Sequence, residues 1–291
     1  MSEVLPSARM QPAADAPWPV VMLPLLLGLA ALYGPAYVEL AGTLWQSEQY
    51  AHGPLIALVS AGLLWHLRRP LGALPDAWSP AAGSAALAGG LLLAVLGLSQ
   101  HIHLLTFASQ PMVLAAVLLL MRGRAGLRMA WFPLLFLLFI VPLPGIFVDT
   151  LTNHLKAWVS FSAEEILYQL GYPVARSGVV ITIGQYQLLV ADACSGLHSM
   201  LSLSALGALF VYLMSRTSRW HNALMLASLL PIAFVANLGR VLLLALITFH
   251  HGDASAQALH AGLGLSVFVI ALVLLIGLDG VLARLHANPP R

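Results

Sequence analysis

The sequence predicts an all-α, polytopic membrane protein with about eight transmembrane helices. Of its 291 residues, 60% are apolar and only 8% are charged, a ratio typical of a chain whose solvent is lipid. Long apolar segments recur along the chain, and the connections between them carry basic and acidic residues in alternation. The expected fold is therefore a helical bundle.

The charge balance and the cysteine count exclude several classes of function. Thirteen basic residues oppose eleven acidic ones, and the basic residues are too few and too scattered to form a nucleic-acid surface. The only thiol belongs to Cys194, so neither an internal disulfide nor a metal site with several cysteines can form. We expect no nucleic-acid partner and no cofactor.

Eight segments are apolar enough to be membrane spans. A helix needs about 20 apolar residues to cross roughly 30 Å of hydrocarbon. The segments that approach this length are 18–38, 53–67, 81–99, 104–121, 129–143, 194–214, 220–249 and 260–283. The second of them is the shortest that we include.

Basic residues predict the orientation of the chain. They fall in every second connection, as the positive-inside rule requires: Arg68 and Arg69, then Arg122, Arg124 and Arg128, then Arg216 and Arg219, and finally Arg284. The intervening connections hold most of the acidic residues. Both termini should therefore be cytoplasmic, and the acidic connections should face the periplasm of a bacterial inner membrane, or the exterior in a Gram-positive cell.

The predicted organisation is one membrane domain, residues 18–285, between two cytoplasmic tails. Residues 1–17 are polar, with proline and acidic residues, and are typical of a disordered tail rather than a cleaved signal peptide. Residues 286–291 form the second tail.

The outer connection 144–193 predicts structure of its own. Phe147, Leu151, Leu155, Trp158, Ser162, Ile166 and Leu170 recur at helical spacing, opposite Asp149, Asn153, Lys156, Ser160 and Glu164. We expect an amphipathic helix in the membrane interface. Gly171 and Pro173 should end it, and two β-rich runs around Gly184-Gln185 predict a short hairpin.

Cys194 is the first candidate for chemistry. It follows the hairpin and begins a span, where the helix N-terminus favours thiolate over thiol. Asp192 lies two residues before it. The alternative interpretation is an inert, apolar cysteine in a membrane helix.

Arg240 is the second candidate. It comes twenty residues after Trp220, an anchor for the cytoplasmic interface, and at about 1.5 Å per residue it reaches the outer boundary. Asn237 lies on the same helix face and could hold the guanidinium. The alternative is an arginine that snorkels to lipid head groups.

Histidines at the predicted outer face form the third group. His198 follows Cys194 by one helical turn, so spacing favours it as an acid or base, while His250, His251 and His260 compete. A thiol, an arginine and a histidine would together supply acyl transfer.

Two further features are open to simpler explanations. A zinc site could be considered from His250, His251, Asp253 and His260, but the H-x-x-x-H or HExxH spacing that would place two ligands on one helix face is absent, so we expect no metal site. Tyr50, His52 and Gly53 mark the outer start of a span, as an interfacial belt and a helix cap would.

In its ordered motifs the chain resembles the exosortase/archaeosortase family of membrane-embedded cysteine transpeptidases. The matching pieces are Tyr50-Ala-His-Gly53, Leu64-Trp65, Pro142-Leu-Pro144, the hairpin leading into Ala193-Cys-Ser-Gly-Leu197, Asn237-Leu-Gly-Arg240, and His260 with Gly264. They cover most of residues 45–270, and the first piece looks most like the exosortase B subgroup.

The resemblance implies roles for particular residues. It makes Cys194 the nucleophile, Arg240 the partner of the oxyanion or substrate carbonyl, and His260 the acid and base in place of His198. Many family members have arginine at the position of His198. His52, Asn237 and Asp192 become supporting or substrate-binding candidates.

The resemblance also implies the substrate class. Such enzymes act on exported proteins with a carboxyl-terminal sorting tail, made of a motif similar to Pro-Glu-Pro, one transmembrane helix and a basic cluster. A thioester would pass the substrate to water or to an envelope acceptor that the sequence does not identify. The competing interpretation is a transporter or flippase of envelope polysaccharide precursors, because a bundle with an intramembrane arginine and Pro231 also suits a substrate pathway.

Overall fold

The computed structural model describes residues 18–47, 50–75, 77, 79–142, 145–189, 196–214, 218–252, 255 and 260–287. The expected first tail, residues 1–17, lies outside these ranges, as do residues 288–291 of the second. Residues 286 and 287 are helical, because the last helix continues to Ala287.

Helices dominate the part of the chain that the structure describes. They are α1 (Trp18–Gly42), α2 (Gly53–Gly72), α3 (Pro80–Ser99), α4 (His103–Met129), α5 (Trp131–Phe136), α6 (Gly145–Gln169), α7 (Gly196–Met214), α8 (Arg219–His251) and α9 (His260–Ala287). Two short 3₁₀ helices, Leu44–Gln46 and Leu137–Ile140, follow α1 and α5. The protein is thus an all-α membrane protein with one small sheet.

All eight predicted spans correspond to helices, but they are not equally long. Within the described ranges, five helices are long and apolar enough to cross a membrane, namely Leu23–Gln46, Pro80–Ser99, His103–Met129, Trp220–His251 and Ser266–Leu285. Two shorter apolar helices, Trp131–Ile140 and Leu201–Met214, lie between them. Helix α2, the shortest of the predicted spans, does not meet the same criterion.

The segment Trp131–Ile140 is a half-length element. Its α-helical turns and the 3₁₀ helix after them rise about 17 Å, roughly half the hydrocarbon thickness. Helix α6 begins five residues later, at Gly145. The chain therefore leaves the membrane interior through two elements that a break separates, rather than through one continuous span.

Helix α6 ends where we expect but packs with a different face. Gly171, with φ of +83°, has a left-handed conformation that glycine adopts without strain. The buried face of α6 carries Val159, Ser160 and Ala163, whereas Trp158 is 64% exposed. The prediction that Ser160 lies on the polar face is wrong, because its hydroxyl bonds the Lys156 carbonyl and can be buried without cost.

Helix α6 runs beside the second half of α8. Leu155 packs into the cluster of Ala233 and Ala236, and Val159 into the cluster of Val241 and Leu244. Successive turns of α6 therefore meet successive turns of α8 in the same order. Its position in the membrane interface stays a prediction.

The predicted hairpin is present, and a third strand joins it. Strands β1 (Val174–Ser177), β2 (Val180–Ile183) and β3 (Tyr186–Leu189) form an antiparallel sheet in that order. Ile183 pairs with Tyr186 across Gly184-Gln185, and Gly184 has the positive φ that such a turn needs. The four residues of β1 show no clear apolar alternation, so the sequence did not indicate it.

Two buried clusters organise the bundle. Phe107, Phe132 and Phe136 lie in a cluster that joins α1, α2, α4, α5 and α7. A second group of clusters joins α7, α8 and α9 with α6 and the sheet, where Ile181 and Ile183 are fully buried. Helix α7 belongs to both groups and thereby connects them.

Candidate active site

Arg240 and Asn237 lie on the buried face of α8. Their exposed fractions are only 4% and 5%, and each of them has an interaction partner. A snorkelling arginine would expose its guanidinium to head groups, so this burial excludes the interpretation of Arg240 as a lipid-facing anchor. A buried cation with a neighbouring amide needs a polar or charged environment built for it.

The surroundings of Arg240 come from three elements. Val241 and Leu244, which follow it on α8, pack in one cluster with Val159 of α6 and Ile181 of β2. Helix α6 and the sheet thus cover α8 beside the guanidinium. Apolar cover of this kind lowers the local dielectric constant and strengthens any interaction with a developing negative charge.

The length of α8 sets the level of Arg240. Trp220, at the start of the helix, is 77% exposed, as expected for an interfacial anchor. Arg240 lies about 30 Å further along, and the helix continues for another eleven residues to His251. The outer end of α8 is therefore long enough to carry the sheet beyond the hydrocarbon.

Contacts between α8 and α9 define an antiparallel register. The facing pairs, in order from the start of α8, are His221 with Asp279, Met225 with Leu275, and Ala233 with Val267. The two helices therefore run antiparallel. Nearer Arg240, an added Cβ atom at Gly239 would lie 3.4 Å from Cδ1 of Ile270, so His260, ten residues before Ile270 on α9, lies beyond the level of Arg240 at that end of the bundle.

Helix α7 begins near the same level. Leu203 of α7 shares a buried cluster with Ala233 and Ala236 of α8. Gly196 lies about 10 Å outward from Leu203, and Arg240 about 6 Å outward from Ala236. The start of α7 is therefore within about 5 Å of the level of Arg240 along the bundle axis.

Four predicted site residues have side chains outside the described part of the structure. Cys194 and Asp192 lie between the end of β3 and the start of α7, outside the described residues. His198 is in the first turn of α7, and His260 opens α9, but the side chains of both lie outside the described part. Their roles stay predictions that rest on the resemblance and on the levels of their helices.

His52 belongs to a different neighbourhood. It precedes α2, is half-buried and has an interaction partner. A Cβ atom at Gly53, the next residue, would collide with the indole nitrogen of Trp45, so the motif requires glycine there for steric reasons. Burial raises the pKa of the Tyr50 phenol in the same turn, and the cluster around Trp45 joins α1, α2, α4 and α5.

The rival histidines His250 and His251 end α8 on its exposed side. The Nε2 atom of His250 lies 3.1 Å from the hydroxyl oxygen of Tyr172, and the ring of Tyr172 also contacts it edge-on. Among the residues that the structure describes, no three of the metal-ligand types gather closely enough to hold a metal ion. His250 therefore packs with the turn after α6.

Sequence reasoning missed two polar pairs that the fold creates. His221 and Asp279 are buried against each other near one end of α8 and α9. Both lie inside predicted spans, and the rule that a buried polar group in a membrane requires an explanation could have identified them. The second pair, Arg176 with Glu164 at 2.8 Å, fastens β1 to α6 and accounts for an arginine on the outer side.

Comparison with known proteins gives one match. The sequence model of a family described as transmembrane exosortase matches residues 44–277, which is about four fifths of the chain. None of the curated proteins and none of the solved structures matches this chain. The matched range contains the start of α7, the buried face of α8 and the first half of α9.

Proposed function

Because this chain belongs to the transmembrane exosortase family, we propose that it is a cysteine transpeptidase of the bacterial inner membrane. Its substrates are exported proteins that end in a sorting tail with a motif similar to Pro-Glu-Pro, a membrane helix and a basic cluster. The active site faces the periplasm, and both termini are cytoplasmic. Family membership favours this function over a transporter of polysaccharide precursors.

The convergence of three helices at one end of the bundle is the observation that carries the proposal. Arg240 is buried on α8, α7 begins within about 5 Å of its level, and α9 begins at the same end of the bundle. A thiol at the entrance to α7 would then meet a guanidinium and an imidazole. These are the groups that acyl transfer from a peptide needs.

The proposed reaction has two steps. The thiolate of Cys194 attacks the scissile carbonyl carbon, and Arg240 stabilises the oxyanion of the tetrahedral intermediate. The carbon–nitrogen bond breaks, His260 donates a proton to the leaving amine, and the tail helix departs. Water or an envelope amine or hydroxyl then attacks the thioester carbon, His260 accepts its proton, and the carbon–sulfur bond breaks to restore the thiolate.

The site suits a substrate anchored by a helix. A tail helix in the bilayer would hold its scissile bond at the outer boundary, where the length of α8 brings Arg240. The buried amide of Asn237 lies one turn inward and could fix the guanidinium or the substrate backbone. The proposal thus explains why a polar face is buried at this depth in an apolar helix.

Co-expression with a tailed substrate tests the proposal. Wild-type protein should shorten the substrate by the mass of its tail, and Cys194→Ala should leave it intact. Ser204→Ala, a loss of one polar atom in α7, is the matched control and should process normally. Processing by the Cys194→Ala variant would refute the cysteine mechanism.

A further inference from the structure

His221 and Asp279 form a buried polar pair far from the proposed chemistry. Their exposed fractions are 3% and 7%, and Nε2 of His221 lies 2.7 Å from Oδ1 of Asp279. Arg240 is nineteen residues along α8 from His221, or about 28 Å. The pair therefore cannot touch a peptide bond that Arg240 binds.

Apolar contacts specify the alignment of α8 and α9 only weakly. Most buried side chains between the polar pair and Arg240 are apolar, among them Met225, Leu275, Ala233 and Val267, and Asn237 is a buried polar residue of α8 near Arg240. In lipid such helices gain little from burying apolar surface, and similar side chains can interdigitate in more than one register. A slip by one turn would shift one helix by about 5.4 Å along the other.

A polar pair opposes such a slip. Sliding one helix by a turn would separate His221 from Asp279 and leave both facing apolar neighbours, which is costly for buried polar groups. A single polar position in a helical interface is known to fix register at some expense of stability. Because His221 is on α8 and Asp279 is on α9, this pair can fix the register of the two helices.

We propose that His221 and Asp279 are positioning residues, which set the register of α8 against α9 and so fix the position of the start of α9 relative to Arg240. This inference rests on the proposed function, because Arg240 and the first residue of α9 are taken as the reacting partners. The pair lies at one end of the two helices, and the register that it sets determines how α8 and α9 are aligned at the other end. Misplacing a catalytic group by about 1 Å can lower the rate about 10²-fold, and a slip of one turn is larger.

Disulfide formation between introduced cysteines measures the register without relying on activity. In a Cys194→Ala background, Ala233→Cys with Val267→Cys is the native-register pair, and Leu229→Cys with Val267→Cys is one turn out of register. Disulfides need Cα atoms within about 7 Å, so oxidation of the full-length protein in membranes should strongly favour the first pair.

The informative variant replaces both polar groups by apolar ones, His221→Leu with Asp279→Val. It removes both groups of the 2.7 Å contact together, so neither of them is left to face apolar neighbours alone, and its heat resistance is measured beside that of the parent. We expect the ratio of native to shifted disulfide to fall several-fold. In the Cys194-containing protein, the turnover number should fall about tenfold or more with little change in KM, because the sorting tail still binds.

The exchanged variant, His221→Asp with Asp279→His, provides the rescue. It restores a polar pair at the same place, and both the disulfide ratio and the turnover number should return toward the parent values. An apolar variant that keeps the parent disulfide ratio would overturn the proposal, and so would an exchanged variant with the apolar variant's ratio. Failure of the proposed function would appear separately, as tail cleavage that does not need Cys194.

Discussion

At the scale of single residues, the burial of Arg240 is the feature that limits what this protein can do. A guanidinium that is 4% exposed on an apolar helix is retained only where a partner or a substrate compensates its charge. Its planar fork can donate two parallel hydrogen bonds to a carbonyl or an oxyanion, and a lysine ammonium cannot reproduce that geometry. The requirement for arginine is therefore testable.

Arg240→Lys should insert normally but lose tail processing. Removal of one oxyanion donor typically costs about 10²–10³ in rate, and the point charge of lysine should recover little of it. Processing rates at matched expression measure the effect. Arg284→Lys, the same substitution at an exposed position on α9, is the control and should behave as wild type. Full activity of Arg240→Lys would remove the oxyanion role.

The rival histidines give a second prediction at this scale. Spacing from Cys194 favours His198, whereas the family resemblance favours His260. His260→Ala should lower the processing rate about 10²–10⁴-fold, as expected for loss of a general acid and base. His198→Ala should keep appreciable activity under the same conditions. An inactive His198→Ala beside an active His260→Ala would reverse the assignment.

Predictions for single residues succeeded where one sequence pattern determines the position of the residue in its helix. The span that contains Arg240 and its distance from Trp220 could be read from the sequence, because helix rise is fixed. The His221–Asp279 pair could not, because it joins residues 58 positions apart and depends on the register of two helices. Pairing of that kind is a tertiary property, and no local spacing encodes it.

At the scale of elements, α3 and α4 show how closely helices can approach in this bundle. Gly83, Gly90 and Gly97 recur every seven residues on α3, and they face Leu120, Val113 and Thr106, which recur every seven residues on α4. Small residues at such an interface let two helices pack with little space between their backbones. The seven-residue period on both helices is that of a coiled-coil seam.

Gly97→Ala should therefore destabilise the protein. Its Cβ atom would overlap the backbone nitrogen of Thr106, which cannot move as a flexible side chain could, and overpacking of this kind costs about 1–3 kcal/mol. The thermal midpoint in detergent should fall. Gly62→Ala is the control: nothing lies within 4 Å of its added Cβ, and the better helix propensity of alanine should leave the midpoint unchanged or slightly raised. Equal midpoints in the two variants would contradict the close packing of α3 on α4.

The sequence predicted accurately where α6 and the hairpin turn, but it did not predict correctly which face of α6 is buried. Gly171 and Gly184 determined where α6 and the hairpin turn, because few other residues adopt their backbone conformations. The burial of Ser160 and the exposure of Trp158 depend on which side of α6 meets α8. Periodicity identifies an apolar stripe but does not say whether lipid or protein will cover it.

At the scale of the whole molecule, the alternation of basic and acidic connections and the lengths of the helices predict the same arrangement of the chain across the membrane. The side of the sheet and the side of the Arg-bearing connections lie at opposite ends of α8, which is about 50 Å long. The sequence predicted that one apolar segment ends at residue 143 and that a separate helix follows it, but it did not predict that the first of these has only half the length of a span. Composition therefore identified the apolar segments but not how long a helix each of them forms.

Orientation is the last prediction, and it decides on which side of the membrane any chemistry occurs. Gln185, in the turn of the sheet, and Ala125, in an Arg-bearing connection, are both exposed in the structure, so a thiol at either place would react if the reagent reached it. In a Cys194→Ala background, a membrane-impermeant maleimide should label Gln185→Cys in spheroplasts and should label Ala125→Cys only after lysis, because basic connections stay in the cytoplasm. Labelling of Ala125→Cys in sealed spheroplasts would invert the topology. It would also put Arg240 near the cytoplasmic boundary, where no exported tail could reach it.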